Sequence, residues 1–509
     1  MCSRILELRR LLIKKEIWLW KESDFFYTFP FDFITLLDTV VKVKFYLSIY
    51  SMTVISLINL WCSKNLVDSQ FLLGKLFSED KNQQLEYSID PYDPAVEYVF
   101  LNTCGFISSG RQEMFHEIQK LLKKKKKIWL LWCAVQYFSS PLFNGEDLGG
   151  EGKKITEEES LQRKELVSNP NISLFSWQDL LKCTEDTLKT HFQSSQFNEF
   201  VWPESPRFLT NAENGYEYLK IAEGCNNHCS FCLIPKIRGK QKSLPQETIL
   251  EEVQNLINQW VKEIIFIAQD STRYGTDLYG HSALFSLFEE VEKIEGDFRY
   301  RVLYLYPDLL TLDHLKKLTT FKKFIPYFDL PFQHISSPLL KSMKRFYDEN
   351  MIYQFLDFIK EKFRPCFIRT NFIIGFPGET EEDVDKLISF IEKGYFDNIA
   401  LFEYHDEPFA DSSKLPNKIP YDTIHQRFLR VQKTVQTLLQ KKKKERKNQI
   451  QKGVIQEIRE DRAWNYQIEV RPLLHCPEID EVDIISPEKI LSAECEELDK
   501  GVEIEYQMK

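Results

Sequence analysis

The sequence has no surplus of positive charge. Its 66 Lys and Arg are outnumbered by 76 Asp and Glu, giving a formal net charge of −10 and a pI near 5.6. That argues against a general nucleic-acid binder, because phosphate contacts need clustered Lys and Arg. Two basic runs, at 123–127 and 441–447, read as solvated helix faces or turns. A clear signal peptide is missing, and so is any short-period repeat. Long uncharged runs are nearly absent. One, at 45–63, approaches the length of a membrane span. It contains Ser, Thr, Asn and Tyr and runs into a strand-like segment, so no membrane span is expected. The aromatic-rich stretch 1–51 carries no usable motif, and Met52 is a candidate true start. Disulfide density is lacking too. Eleven cysteines among 509 residues, an odd number, point to reduced thiols and metal ligation. The expected setting is cytoplasmic, with no DNA and no membrane.

Hydrophobic content of 43% and charged content of 28% fit a folded protein of several domains. From Met52, apolar runs alternate with amphipathic segments. TVISLINLW ends at Cys62, EYVFLNT at Cys104 and KIWLLW at Cys133. This pattern predicts a parallel sheet with crossover helices. Residues 139–168 read as a polar loop or insertion, and roughly 192–215 as a linker. A second series follows, with strands expected at 217–224, 263–270, 300–307, 324–333, 367–377 and 398–405. Six βα units predict a partial barrel, open on one side. Residues 421–448 read as one long polar helix. From about 450 come short strands with turns, a small all-β domain of OB-like type. The expected fold is therefore α/β, with domains at 52–190, 205–448 and 449–509 and an extension at 1–51.

In such sheets and barrels, ligands sit at the C-terminal ends of strands. Those ends carry IAEGCNNHCSFCLIPKIRG at 221–239, then Gln269-Asp270, Tyr306-Pro307, Gln333-His334, GFPGE at 375–379 and Glu403-Tyr404. Cys225, Cys229 and Cys232 fall within eight residues. A structural zinc site wants four ligands, and His228 is badly placed beside Cys229. Closely spaced thiolates hold iron–sulfur clusters. Three thiolates on a 4Fe-4S cluster leave one iron open to a substrate or cofactor. Alone, Cys62, Cys104 and Cys133 are each more often small buried residues than ligands. All three end successive predicted parallel strands, however, and such ends are neighbours.

The spacing of the three barrel cysteines after a first strand resembles the radical S-adenosylmethionine (SAM) enzymes. The resemblance implies that SAM binds the open iron and is reductively cleaved to methionine and a 5′-deoxyadenosyl radical. It places Phe231 against adenine and makes GFPGE the family's Gly-rich ligand segment, with Gly375, Gly378 and Glu379 as contacts. The contexts WCSKNLVDS, NTCGF and WCAVQY resemble the N-terminal domain of the methylthiotransferases. There, three such cysteines hold a second 4Fe-4S cluster, here Cys62, Cys104 and Cys133. Trp61 and Trp132 stand where that family usually has Gly, and both indoles are expected to crowd the cluster. IFIAQDSTRYGTDLYG, LYLYPDLL, YFDLPFQHISS and IIGFPGETEEDV resemble the RimO branch. That branch methylthiolates the β-carbon of an aspartate of the small-subunit ribosomal protein S-twelve. The tRNA adenosine branch, of MiaB type, has a GQNVN-like stretch in place of Gln269-Asp270-Ser271-Thr272 and Gln-Ser in place of Gln333-His334. The C-terminal domain, with CPEIDEV at 476–482, resembles TRAM.

The resemblance thus implies two 4Fe-4S clusters, SAM, an electron donor such as flavodoxin or ferredoxin, and a monomer. Catalytic expectations fall on Cys225, Cys229, Cys232 and Asp270. Cofactor contacts are expected from Phe231, Gln269, Gln333, His334, Gly375, Gly378 and Glu379. Arg238, Asp270 and Arg273 are read as carboxylate-orienting groups or as rim salt bridges. The rivals are a tRNA methylthiotransferase and a non-enzymatic iron–sulfur scaffold.

Overall fold

The computed structural model describes residues 52–60, 62–80, 85–105, 108–139, 157–175, 207–447, 449–460, 466–493 and 498–508. The stretch 1–51, Trp61, most of the expected 139–168 loop and most of the expected linker lie outside these. Contacts divide the chain into Met1–Met52 and Thr53–Lys509, and the second is one compact unit.

Five parallel strands open it: β1 (Thr53–Asn59), β2 (Leu85–Tyr87), β3 (Val96–Thr103), β4 (Lys127–Trp132) and β5 (Ile172–Phe175). Their order is β2-β1-β3-β4-β5, so the three strands that end at cysteines lie side by side as expected. Period-2 alternation splits their side chains between two cores. Phe100, Trp129 and Leu131 face the helix Ser63–Glu79. Val99, Leu101, Ile128 and Leu130 face the helix Ser108–Lys123. Both faces are covered, as an all-parallel sheet requires. The core of the uncharged run at 45–63 is thus the strand Thr53–Asn59. No helix among the described residues is long and apolar enough to cross a membrane. The expected 139–168 loop holds a helix, Glu157–Ser168, leading into β5.

The second series forms β6 (Tyr216–Lys220), β7 (Ala222–Glu223), β8 (Lys242–Ser243), β9 (Glu263–Ile267), β10 (Arg299–Val302), β11 (Tyr327–Asp329), β12 (Phe367–Ile374) and β13 (Asn398–Glu403). Parallel ladders β6-β9-β10 and β11-β12-β13 are joined by a parallel bridge between Tyr300 and Phe324. No ladder returns from β13 to β6 among the described residues, so the six-stranded barrel is open, as expected. Its interior is filled from two sides. Leu66 and Val67 enter from the helix that follows Cys62, and Cys476 enters from the last domain. They meet Tyr218, Ile265, Ile267, Leu303 and Tyr327 there.

The long helix Tyr421–Arg446 is less polar in effect than its sequence reads. It buries Ile424, Val431, Val435 and Leu438 against the barrel. The last domain is an antiparallel sheet of β14 (Ile450–Glu460), β15 (Tyr466–Pro472), β16 (Asp483–Ile485), β17 (Ile490–Ala493) and β18 (Glu503–Gln507), in the order β16-β15-β14-β18-β17. Its β17, ILSA, is short and mostly exposed. The end of the expected linker is not solvated either. Arg207 is buried and pairs with Glu217 at 3.3 Å, while donating to Gln70 and the Tyr218 carbonyl.

Trp132 corrects one expectation. Its φ is +72°, a left-handed conformation that favours glycine. Its ring turns away into the core with Phe100 and Trp129, and Nε1 donates to Ser69 Oγ at 3.0 Å. The backbone thus accounts for glycine at this position in the family, and the indole does not crowd Cys133. Replacing Trp132 with Gly relieves about 1–2 kcal/mol of backbone strain. It also empties a site only 5% exposed, costing about 3–5 kcal/mol. The net expectation is a loss of roughly 2 kcal/mol, read as a lower urea midpoint of the iron-free protein. An unchanged or raised midpoint would contradict the packing argument.

Candidate functional site

The three-cysteine loop grows from a clip. Ala222 and Glu223 pair antiparallel with Ser243 and Lys242, closing the loop at its base. Cys225 N–H then donates to the Gly239 carbonyl at 3.2 Å. Within the loop, backbone N–H groups point at sulfur. Asn227 N–H lies 3.4 Å from Cys225 Sγ, and Ile234 N–H lies 3.4 Å from Cys232 Sγ. Burial pushes the Cys225 thiol up to about 11, against the Asn227 N–H, and raises Cys229 and Cys232 as well. These thiols stay neutral until a metal claims them as thiolates.

The second triad forms where β1, β3 and β4 end. Cys62 precedes the helix Ser63–Glu79, Cys104 follows β3, and Cys133 begins the helix Cys133–Ser139. Gly105 lies so close that a Cβ there would strike the Cys133 carbonyl. Burial raises the Cys133 thiol, Arg238 opposes it, and Cys62 is close enough to add to the rise.

Each triad offers three free thiols as donors. His228, the one imidazole in the loop, is exposed. Among the described residues no three His, Cys, Asp or Glu side chains converge to hold a single metal ion. Zinc gathers its donors at one point. An iron–sulfur cluster is bound through thiolates on separate irons, and this donor set fits it.

One arginine ties the triads together. The helix Ile234–Arg238 starts two residues after Cys232, and its Leu233 and Ile237 side pack with Cys133, Ala134 and Val135. Arg238 Nε donates to Cys133 Sγ at 3.2 Å. Its Nη1 donates to both Glu223 oxygens, at 2.6 and 2.7 Å. Glu223 also accepts from Lys220 Nζ at 2.8 Å and Gln269 Nε2 at 3.0 Å. Lys220 reaches Asp68 of the first domain. Burial alone would raise the Glu223 carboxyl, but Arg238 and Lys220 hold it well below the usual range.

The other expected rim groups divide. Asp270 accepts from Asn227 Nδ2 at 2.6 Å and from Thr272, and pairs with Arg273 at 3.3 Å. It braces the loop through the residue whose N–H meets Cys225 Sγ. Arg238 pairs with Glu223 and Arg273 with Asp270 at this rim. Gln269 leaves its buried Oε1 without a partner. Gln333 pairs with the Asn371 amide at 3.2 Å. Phe231 packs with Met343 and Phe376 beside the loop. His334 is fully buried; burial lowers it to about 4, and its Nδ1 accepts from Ser336 N–H at 2.9 Å.

GFPGE is built inward. Glu379 accepts Gly375 N–H at 2.9 Å and Arg427 Nη1 at 3.1 Å, and burial pushes its carboxyl up to about 7. Gly375 has φ +85°, and a Cβ there would lie 2.5 Å from Ile424 Cγ1. The side of Gly375 that a Cβ would occupy thus faces the helix Tyr421–Arg446. Gly378 has φ +88° and nothing within 4 Å of a Cβ. Gly378→Ala should cost about 1 kcal/mol of stability, and Gly375→Ala about 3 kcal/mol through added overpacking. Equal losses in chemical denaturation would refute this difference.

Sequence reasoning missed Glu223, Lys220, Asn227 and Arg345. The signal for Glu223 and Lys220 was present as charges on a strand buried on both faces. Arg345, in MKRFY, carried none.

A model of the Radical SAM superfamily matches residues 219–391. A second, described as Uncharacterized protein family UPF0004, matches residues 55–148. The protein named ribosomal protein uS12 methylthiotransferase RimO from Dictyoglomus thermophilum is 36% identical over 378 residues, 73% of this chain and 80% of its own length. That of Aquifex aeolicus is 35% identical over 380 residues, 73% and 77% of the two chains. That of Clostridium novyi is 32% identical over 449 residues, 86% and 93% of the two chains.

Proposed function

The chain belongs to the RimO family of radical SAM methylthiotransferases, and from that premise we propose that it adds a methylthio group to the β-carbon of an aspartate in ribosomal protein uS12. The observation that carries this reading is Arg238. It spans from the loop of one thiol triad to the sulfur of the other, so two metal centres would face one substrate side chain.

In this reading Cys225, Cys229 and Cys232 would hold one 4Fe-4S cluster that works with SAM, and Cys62, Cys104 and Cys133 would hold a second. Bound there, the clusters and SAM supply the electron, the hydrogen-abstracting radical, the sulfur and the methyl group. The chain does the rest. Backbone N–H groups of Asn227 and Ile234 hold the sulfurs of Cys225 and Cys232 in place. Asp270 fixes Asn227, and Glu223 fixes Arg238. Residues 52–190, 205–448 and 449–509 act as the sulfur-donor domain, the SAM domain and a TRAM-like domain. Phe231, Gln269, Gln333, His334, Gly375, Gly378 and Glu379 belong to the SAM side of the site, and Asp270 to its catalytic groups. A net charge of −10 favours encounter with a basic ribosomal protein. A flavodoxin or ferredoxin supplies electrons, and the enzyme works as a monomer.

The test is transfer by the anaerobically reconstituted enzyme to a uS12 peptide, compared with transfer to tRNA. Mass spectrometry should find the methylthio group on the peptide aspartate. Transfer to tRNA alone would overturn the reading.

A further inference from the structure

Arg345 is 3% exposed and follows the helix Ser337–Ser342, with its backbone N–H on the Leu340 carbonyl at 2.8 Å. None of Nε, Nη1 and Nη2 has a hydrogen-bond partner. Such a buried cation is too costly to leave uncompensated. The other buried arginines show how this protein meets that cost. Arg111, Arg207, Arg301, Arg427 and Arg471 each have a protein carboxylate within 3.3 Å. Arg345 alone among the buried arginines described has none. Asp308 is near enough to be felt but forms no ion pair with it.

The place of Arg345 is specific. Its guanidinium carbon lies 4.3 Å from the Tyr306 ring centre and 5.8 Å from that of Phe231. Tyr306 ends the third barrel strand segment, and Phe231 lies between Cys229 and Cys232. The cysteine loop is bonded to the same segment. Ser230 N–H donates to the Met343 carbonyl at 3.1 Å, and its Oγ to the Ser342 carbonyl at 2.9 Å. Arg345 therefore lies beside the three-cysteine loop. It does not serve a sulfur as Arg238 does, since no thiol lies within its hydrogen-bond reach.

We propose that Arg345 is a binding residue for a carboxylate that enters beside the three-cysteine loop. A planar guanidinium with its N–H groups unspent is suited to a bidentate carboxylate. The proposal rests on the functional reading above, which brings two carboxylates to this place: that of the methionine moiety of SAM and the side chain of the target aspartate.

The reconstituted full-length enzyme, with R345Q and R345K variants, decides between them. Iron content, SAM affinity by equilibrium dialysis without peptide, and uS12-peptide affinity are measured for each. R345Q with full iron should lose at least about tenfold in affinity for one ligand, and R345K less. A loss confined to SAM assigns the SAM carboxylate. A loss confined to the peptide, together with loss of preference for Asp over Asn at the target position, assigns the substrate. Unchanged affinities for both overturn the proposal. So does loss of iron in both variants, or a shift only in the cluster's midpoint potential, which would make Arg345 a counter-charge to the cluster. Should the wild type bind and cleave SAM but ignore the peptide, the uS12 reading fails while the SAM arm still judges Arg345.

Discussion

Replacing Cys225, Cys229 and Cys232 together with alanine should abolish SAM cleavage and halve the iron the chain takes up. On the proposed reading two 4Fe-4S clusters would bring about eight irons, and the triple variant should retain about four. The two effects should separate cleanly, because the triads sit on different elements. The barrel triad rests on a loop closed by Ala222–Glu223 and Lys242–Ser243. The other rests on the ends of β1, β3 and β4. Loss of the barrel thiols therefore leaves Cys62, Cys104 and Cys133 in place. Release of 5′-deoxyadenosine under dithionite is the readout, with iron measured on the same sample. Cleavage that survives the triple substitution would sink the assignment of the radical centre.

The second large effect is expected at Glu223. This carboxylate receives Arg238 and Lys220, and it sits at 5% exposure. Removing one partner of a buried ion pair costs about 3–5 kcal/mol, because the other charge is left uncompensated. Glu223→Gln keeps the size of the side chain and leaves two cations short of their anion. The iron-free variant should unfold at markedly lower urea. It should also load less iron at the first-domain triad, because Arg238 is no longer held against Cys133. The pH dependence has a definite sign. The folded carboxyl lies below its ordinary value of 4.5. Its stabilisation is present above that value and is lost as pH falls below it. The gap between wild type and E223Q should therefore narrow as pH drops through 4.5 toward the folded value. A constant gap would mean that the network does not depend on the Glu223 charge.

Much of this was legible in the chain. Apolar runs ending at Cys62, Cys104 and Cys133 became adjacent parallel strands, because period-2 apolar runs separated by helices leave few other arrangements. The six barrel strands also appeared where expected, though each ended earlier than its apolar run. Their last residues turn into the rim, where Tyr304 and Gln333 take positive φ. The roles of individual polar residues were far less legible. GFPGE reads as a ligand loop, but nothing in it announces that Glu379 and Gly375 meet Arg427 and Ile424, some fifty residues further on. Arg238 reads as a carboxylate-orienting group or a rim salt bridge, and its contacts with Glu223 and Cys133 are not written in its neighbours. Sequence distance hides such pairings, since a side chain's partner is fixed by tertiary packing and not by its neighbours. Arg345 is the extreme case, because only the absence of a partner marks it.

The way the barrel is filled bears on how the protein is made. Glu263 and Arg301, on neighbouring strands, form an ion pair inside it at 2.7 Å. Arg471 joins them at 2.9 Å, and Arg301 donates to the Leu473 and Leu474 carbonyls. Cys476 then closes the apolar layer above. Arg471, Leu473, Leu474 and Cys476 all follow the barrel in the chain. Until they have left the ribosome, the nascent barrel has an unplugged, charged interior. It can acquire its final rigidity only once they have emerged. A nascent chain stalled with residue 450 just outside the tunnel should therefore be cut readily by protease within the barrel, and the released chain should not.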